Sequence, residues 1–416
     1  LGKTIIEKIV AAHTRDKSEP GDTVWLDIDV RTARDFGGAS VVEQLRANVK
    51  DAPVADSART FFTFDCNAPA NTIGYANNQM ACRKFAWENG VKVYDVDRGI
   101  GSHVLMEEGI ALPGTTLVGT DSHLNLLGAV GCLGLGMGDT DVAYAFATGR
   151  TWFEVPPTVK ITVEGELPSG CTAKDLTLKV VGQLKSNGLL GMAAEYYGPA
   201  IVALDLAGRV TLASMTTEMG GVISFITPTD AVLSVFEAAL GKRPDTVFAD
   251  PDAAYAKEIV VDLAGMEPML STPGAPDSVK PISEIEDRDV AVHSVFIGSC
   301  TNGRIEDMRA AAEVLEGKQV AEGVMAMIVP ATRSVFGRML DEGLVALFHK
   351  AGAVVSNAGC GGCASGQIGM TGAGEVQVST SNRNFRGKQG AGSTYLASPV
   401  TAALAAVFGK ITRGAQ

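Results

Sequence analysis

Ser294-Val295-Phe296-Ile297-Gly298-Ser299-Cys300-Thr301-Asn302-Gly303-Arg304 is an apolar run that stops at a glycine and becomes a polar loop carrying a thiol. A short apolar run bounded by turn residues reads as a buried strand. Ile305 to Leu315 then reads as a helix. The same strand-then-polar-loop pattern occurs three more times. Thr116-Leu117-Val118-Gly119 leads into Thr120-Asp121-Ser122-His123. Ala353-Val354-Val355 leads into Ser356-Asn357-Ala358-Gly359-Cys360-Gly361-Gly362-Cys363. Val376-Gln377-Val378 leads into Ser379-Thr380-Ser381-Asn382-Arg383-Asn384-Phe385-Arg386-Gly387-Lys388. In open α/β sheets ligands bind beyond the carboxyl ends of the strands, so these four loops mark a site by position as well as by content.

The rest of the chain fits the same class. Thr4 to Val10 has helical periodicity, Thr23 to Val30 alternates like a strand, and Val41 to Val49 reads as a second amphipathic helix. Strands and helices alternate from there onward, which indicates α/β layers with much parallel sheet. Pro156-Pro157 places one boundary near 150–160. Pro268, Pro273, Pro276 and Pro281 place a linker near 265–290. The expected domains are 1–150, 151–285 and 286–416.

Composition narrows the function classes. The chain has 416 residues, 46% of them hydrophobic and 20% charged, with a mean hydropathy of +0.16; that balance belongs to a globular enzyme. Lys and Arg total 35 and Asp and Glu total 47, for a net charge of −12. No basic stripe exists to displace phosphate counterions, so nucleic acid is not an expected partner. No stretch reads as a membrane span or signal peptide. Seven cysteines, an odd number spread thinly, do not form a secreted disulfide framework, and a cytoplasmic location is expected.

Cys360 and Cys363 form a C-x-x-C flanked by Gly359, Gly361 and Gly362, which leave room for a bulky group. Cys300 precedes a helix whose N-terminal dipole favours a thiolate. A C-x-x-C alone is a redox pair, half of a zinc site or two buried structural thiols. A zinc ribbon needs a second such pair, and none exists here. Three thiolates also fit an iron–sulfur cluster with one iron unclaimed by protein. Arg383, Arg386 and Lys388 crowd a short stretch of an acidic chain, and arginine's planar fork matches a carboxylate. The competing reading of that charge run is a solvated loop. The glycines from Gly128 to Gly138 fit close packing better than dinucleotide binding, because no acidic residue follows at the required spacing. Cys82, Cys132 and Cys171 read as inert buried thiols. His13, His293 and His349 read as structural or exposed.

Taken together, the motifs resemble the aconitase superfamily, and most closely the large subunits of isopropylmalate isomerase and homoaconitase-type dehydratases. Gly298–Arg304 is similar to the family's first cluster loop, and Cys360-Gly361-Gly362-Cys363 to its second. Ser381–Phe385 is similar to its substrate-carboxylate loop, and Thr120–His123 to its active-site turn. Glu195-Tyr196-Tyr197-Gly198 resembles the segment whose glutamate supports that histidine, and Gly2–Lys8 is a typical opening. The resemblance runs in family order over essentially the whole chain. It implies three α/β/α domains around a central cleft, lacking the swivelling fourth domain. It implies a [4Fe-4S] cluster held by Cys300, Cys360 and Cys363, with one iron free of protein ligands. The implied activity is a hydro-lyase or isomerase that removes and re-adds water on a 2- or 3-hydroxy di- or tricarboxylate. Arg383, Lys388, Asn302 and Ser381 would bind substrate. His123, supported by Glu195, would move a proton or hydrogen-bond the hydroxyl, Asp121 and Ser122 would orient substrate and water, and Asp65 would hold the residue that follows it. The family's base is a serine on the mobile domain. No Gly-Ser-Ser-Arg-type loop occurs here, so a separate small subunit is the expected partner.

Three departures bear on the substrate. The family's Asp-His is Asp65-Cys66, and its Gly-Ile-x-His is Gly99-Ile100-Gly101-Ser102 with a histidine one place later, at His103. Cys66 is then an acid for the leaving hydroxyl, a metal ligand or a small buried side chain, with His103 reaching into the site instead. Lys388 stands where arginine is usual, and a point charge cannot make the bidentate pair. A smaller malate-type acid, of maleate, citraconate or dimethylmalate type, is therefore an alternative substrate. Other readings are a cluster-based sensor and a catalytically inactive scaffold subunit.

Overall fold

The protein is described from a computed structural model that covers residues 2–49, 54–286, 288–364, 366 and 368–414. Three mostly parallel sheets follow one another along the chain, with helices packed against them. The first has the order Lys92–Tyr94, Thr60–Thr63, Val30–Arg34, Thr116–Gly119, Leu133–Gly136, with every pair parallel. Its order reverses between Val30–Arg34 and Thr116–Gly119. A crevice opens at such a switch point, because the loops on either side leave toward opposite faces. Arg34 and the turn from Thr120 to His123 lie there.

The second sheet is parallel, in the order Ile223–Phe225, Ala193–Tyr197, Thr158–Glu164, Lys257–Asp262. The third has seven strands. Ser393–Leu396, Val376–Ser379, Ser294–Ile297, Met325–Ile328 and Val354–Val355 run parallel, and Met269–Ser271 and Val279–Pro281 add an antiparallel edge. The strand Ser294–Ile297 lies between Met325–Ile328 and Val376–Ser379, which is again a switch point. The Cys300 and Arg383 loops leave from it.

Two expectations differ from the structure. Thr23 to Val30 is not one strand. Thr23–Asp27 pairs antiparallel with Arg150–Glu154, and a new strand starts at Val30. The break is fixed by Asp29, whose carboxylate takes His13 Nε2 at 2.9 Å and the Thr116 amide at 3.0 Å. The proline-rich stretch near 265–290 is an edge hairpin of the third sheet, and the passage between the second and third sheets lies between Asp262 and Met269. Prolines suit an edge, where no further strand needs their missing N–H.

The opening helix, Ile5–Ala12, is closed by a capping box of Thr4 and Glu7 and buries Ile5, Ile6, Ile9 and Val10. The helix Ile305–Leu315 buries Ile305, Met308, Ala311, Ala312 and Leu315, the stripe its sequence period required. No helix among the described residues is long and apolar enough to cross a membrane.

Close packing between the first two units makes one glycine indispensable. A Cβ on Gly128 would lie 2.0 Å from the Ser224 carbonyl oxygen. Gly128→Ala should lower stability by about 1–3 kcal/mol through overpacking. Gly337, inside the helix Arg333–Asp341, has open space at its Cβ position, and Gly337→Ala should gain about 0.5–1 kcal/mol. Urea denaturation midpoints of both variants check the pair.

Candidate active site

Arg34 ends a central strand of the first sheet, and all three of its nitrogens are used. Nε donates to Asp65 Oδ1 at 2.7 Å, Nη1 to Asp121 Oδ1 at 2.9 Å, and Nη2 to Cys360 Sγ at 2.8 Å. Burial opposes its charge, but Asp121, Asp65 and the neighbouring thiols outweigh that and hold the guanidinium protonated. The next residue, Asp35, organises the following turn. Its carboxylate accepts from the amides of Asp65, Cys66 and Asn67 and from Gln79 Nε2, at 3.0–3.2 Å. Asp65 Oδ2 accepts from the Gly101 amide at 2.7 Å. Burial pushes the Asp65 carboxyl up to about 6, against the pull of Arg34.

A cavity of about 320 Å³ lies against this frame. The first unit lines it with Arg34, Phe36, Cys66 and Thr120–His123, and the third unit with Cys300, Cys360, Cys363, Ala364, Arg383 and Lys388. All seven cysteines of the chain are free thiols, and four of them face this space. Burial is the largest influence on Cys66, Cys300 and Cys360 and pushes each up as a thiol in the protein alone. Cys300 follows Ser299, which is held at φ 78° with its hydroxyl accepting the Thr301 amide at 3.2 Å. A left-handed serine is strained backbone, and strain of that kind concentrates at functional loops. Gly361 adopts φ +57° with Phe296 packed where a Cβ would be, so only glycine fits between the two thiols there. Cys300 and Cys363 both donate toward Asn382 Oδ1, at 3.5 and 3.7 Å.

His123 Nε2 lies 3.1 Å from Glu218 Oε1, which also accepts from Arg383 Nε at 2.7 Å. Burial raises the Glu218 pKa, but His123 and Arg383 overcome it and hold the carboxylate ionised. Asp121 is held below the usual carboxylate range in the same way, by Arg34 and His123 against burial. Ser122 Oγ is 3.4 Å from His123 Nδ1.

Four residues expected at the site lie elsewhere. Glu195 does not support His123. It accepts from the Ile5 amide at 2.6 Å and from Tyr197 and Tyr255 hydroxyls at 2.5 and 2.7 Å, which ties the opening helix to the second sheet. His103 faces away from the cavity, with Nε2 donating to the Cys300 carbonyl at 2.9 Å and Nδ1 accepting from Arg304 at 3.2 Å. A step of one residue along a helix turns the side chain by about 100°, so a histidine moved from 102 to 103 points to a different neighbour. Burial, with Arg304 beside it, drives His103 down to about 3, so it is neutral. Asn302 donates to Asp307 Oδ1 at 2.8 Å and Thr211 Oγ1 at 3.2 Å on the far side of the Cys300 loop. Ser381 is fully buried and bonds Ser379 Oγ at 2.9 Å, and its neighbour Asn382 meets the thiols instead. Asp65 stands one bond behind the cavity, through Arg34. Arg34, Asp35 and Glu218 were not found from sequence. The Arg34-Asp35 pair at a strand end was the one signal for the first two, and nothing in Thr217-Glu218-Met219 marks Glu218. Cys82, Cys132 and Cys171 lie away from the cavity, and burial pushes each thiol up to about 12.

The thiols fit a cluster better than a single ion. Tetrahedral zinc would place its sulfurs about 3.8 Å apart. Among the described residues the only three such ligand atoms within 4.8 Å of one another are those of Asp35, Asp65 and Cys66. Cys300, Cys360 and Cys363 are therefore spread more widely, around a cavity and beside bare glycine backbone, as a bulky iron–sulfur group needs. The Asp35 group is no rival, since its carboxylates are already bonded by backbone amides, Gln79 and Arg34.

Thiols, a histidine–carboxylate pair and two cations on one cavity between α/β units suit a metal–sulfur centre acting on an anion. The family model of aconitase (aconitate hydratase) matches residues 7–409. The 3-isopropylmalate dehydratase large subunit 1 of Methanopyrus kandleri is 40% identical over 415 residues, 99% of each chain. The probable 3-isopropylmalate dehydratase large subunit of Methanothermobacter thermautotrophicus is 41% identical over 99% of each chain. The homoaconitase large subunit of Thermus thermophilus is 40% identical over 99% of this chain and 97% of its own. The chain belongs to the aconitase family.

Removing Arg34 should expose its role. Arg34→Met leaves Asp65 and Asp121 buried without their counter-charge and should cost about 3–5 kcal/mol. Arg34→Lys should lose less, because it keeps the charge and loses the fork. Urea titration of the metal-free chain measures both, and equal stability of Arg34→Met and the parent would refute the assignment.

Proposed function

We propose that this chain is the large, cluster-bearing subunit of an iron–sulfur hydro-lyase or isomerase, similar to isopropylmalate dehydratase and acting with a separate small subunit. The observation that carries this reading is the meeting of Cys300, Cys360 and Cys363 with Arg383 and the His123–Glu218 pair on one cavity. Cys300, Cys360 and Cys363 would hold a [4Fe-4S] cluster that supplies, when bound, a Lewis-acid iron for a hydroxyl leaving group.

The chain's own groups do the rest. Arg383 has its Nε fixed on Glu218, which leaves its outer nitrogens for a substrate carboxylate. Lys388 makes no ion pair among the described residues and presents a second cation to the cavity. Glu218 orients His123 and keeps its Nε2–H in place, so Nδ1 faces Ser122 and the cavity side. His123 is thereby set to pass a proton to or from the hydroxyl. Arg34 keeps Asp121 ionised so that Asp121 can hold the His123 amide, at 3.0 Å, and the turn's geometry. Cys66 stays an S–H directed at Asp65 Oδ1, 3.5 Å away, so it acts as a weak donor or packing group and not as a base.

The charge inventory favours a dicarboxylate. Arg34 is committed to protein partners, and Arg386 does not face the cavity. Of this chain's own cations, Arg383 and Lys388 remain for substrate, one per carboxylate, beside whatever the small subunit adds. A malate-type acid with an apolar substituent near Phe36 and Cys66 therefore suits the site better than a tricarboxylate.

Anaerobic reconstitution should give about four irons and four sulfides per chain, with loss of both in Cys300→Ser; an iron-free parent would refute the proposal. With cluster and small subunit present, Glu218→Gln should lower kcat/KM by about 10²–10⁴. Glu195→Gln should leave kcat/KM near the parent and lower thermal stability instead, and a catalytic loss equal to that of Glu218→Gln would restore Glu195 to the site.

A further inference from the structure

Lys174 lies in the first turn of the helix Ala173–Leu184, on the second unit, and is 0% exposed. A cation there works against both burial and the positive end of the helix dipole. Its partners lie on the third unit: Nζ donates to the Thr380 and Ser381 carbonyls, each at 2.9 Å. Those two carbonyls immediately precede Asn382, which meets the thiols, and Arg383. The far side of the same loop is held separately by Asn384, which donates to the Thr272 and Thr394 carbonyls at 2.8 and 3.1 Å.

We propose that Lys174 is a positioning residue for the anion-binding loop: its ammonium reaches across the boundary between units and fixes the Thr380–Ser381 backbone, which aims Asn382 and Arg383 into the cysteine cavity. The proposal rests on the reading of Arg383 as the carboxylate-binding group. An apolar side chain would fill the same space without crossing a charge into it, so the two carbonyl bonds are the return for a costly placement.

The hold depends on a proton. Lys174 is faced by Glu218 from the turn Thr217–Met219, Asp307 from the helix Ile305–Leu315, and Cys300 and Cys363 from the cluster loops. Burial, the largest influence, pulls it down to about 8 against the attraction of those acids. Lys174 also borders a cavity of about 280 Å³ with Asp205, Thr211, Asn302 and Glu306. Charge-assisted bonds are about twice as strong as neutral ones, so deprotonation loosens the loop.

Hydrogen exchange read by mass spectrometry on the full chain tests this without substrate or cluster. In Lys174→Met the amides of residues 380–386 should exchange about ten-fold faster or more, with the helix Ile305–Leu315 unchanged. Lys174→Arg, which keeps the charge, should restore protection. Between roughly pH 7 and pH 9.5 the parent's loop, corrected for chemical exchange, should lose protection while Lys174→Arg does not. Unchanged loop exchange in Lys174→Met would overturn the proposal. So would a loss spread equally over the helix that arginine fails to rescue. If Lys174→Met does not fold, Lys174→Leu is read in the same way, and unchanged loop exchange in it overturns the proposal. Failure to bind iron would sink the dehydratase reading while leaving these results intact.

Discussion

The guanidinium of Arg34 is the contact on which the site depends. It joins two carboxylates of the first unit to a thiol of the third, over distances of 2.7–2.9 Å. Without it, Asp65 and Asp121 would be two like charges in a buried corner, and Asp65 is already pushed up to about 6 by burial despite Arg34. The fold supplies the position, because Arg34 ends a strand at the first sheet's switch point. The Cys300 and Arg383 loops leave the third sheet at its own switch point. Two crevices of the same topological origin thus face one another, and the cavity is the space between them.

The first unit grips the third at more than one place. Arg34 reaches Cys360, while His103 holds the Cys300 carbonyl. The His103 imidazole therefore supports the Cys300 loop from behind the cavity. Its neutrality follows from its place: burial and the Arg304 cation both oppose a second proton. A neutral ring with one donor and one acceptor matches a carbonyl on one side and a guanidinium on the other.

The sequence was most legible where a motif and a strand end coincided. Cys300, Cys360, Cys363, Asp121, His123 and Arg383 each sit in a loop that announces itself by glycine and polar residues, and all line the one cavity. Supporting residues were less legible for a physical reason. Arg34 and Glu218 act through bonds to residues 31–326 positions away, and nothing local marks such partners. Glu195 misled because Glu195-Tyr196-Tyr197-Gly198 is similar to the family segment whose glutamate supports the histidine, whereas its bonds here hold the chain's opening helix. The edge hairpin at 269–281 was hidden by its prolines, which signal a linker and an exposed sheet edge alike.

The local charge pattern explains how an acidic chain of net −12 can receive an anion. Asp65, Asp121 and Glu218 are the buried carboxylates around the cavity, and each is met by Arg34, His123 or Arg383. Each of these carboxylates therefore has a cation or an imidazole against it before any ligand arrives. Lys388 and the outer nitrogens of Arg383 stand as surplus positive charge on the solvent side of that balance. Short-range pairing hides the global charge from the cavity, because buried pairs are screened by one another and the distant surface acids are screened by salt beyond about 8–10 Å. Lys388, which makes no ion pair among the described residues, and the outer edge of Arg383 are then the positive groups that this chain turns toward an anion.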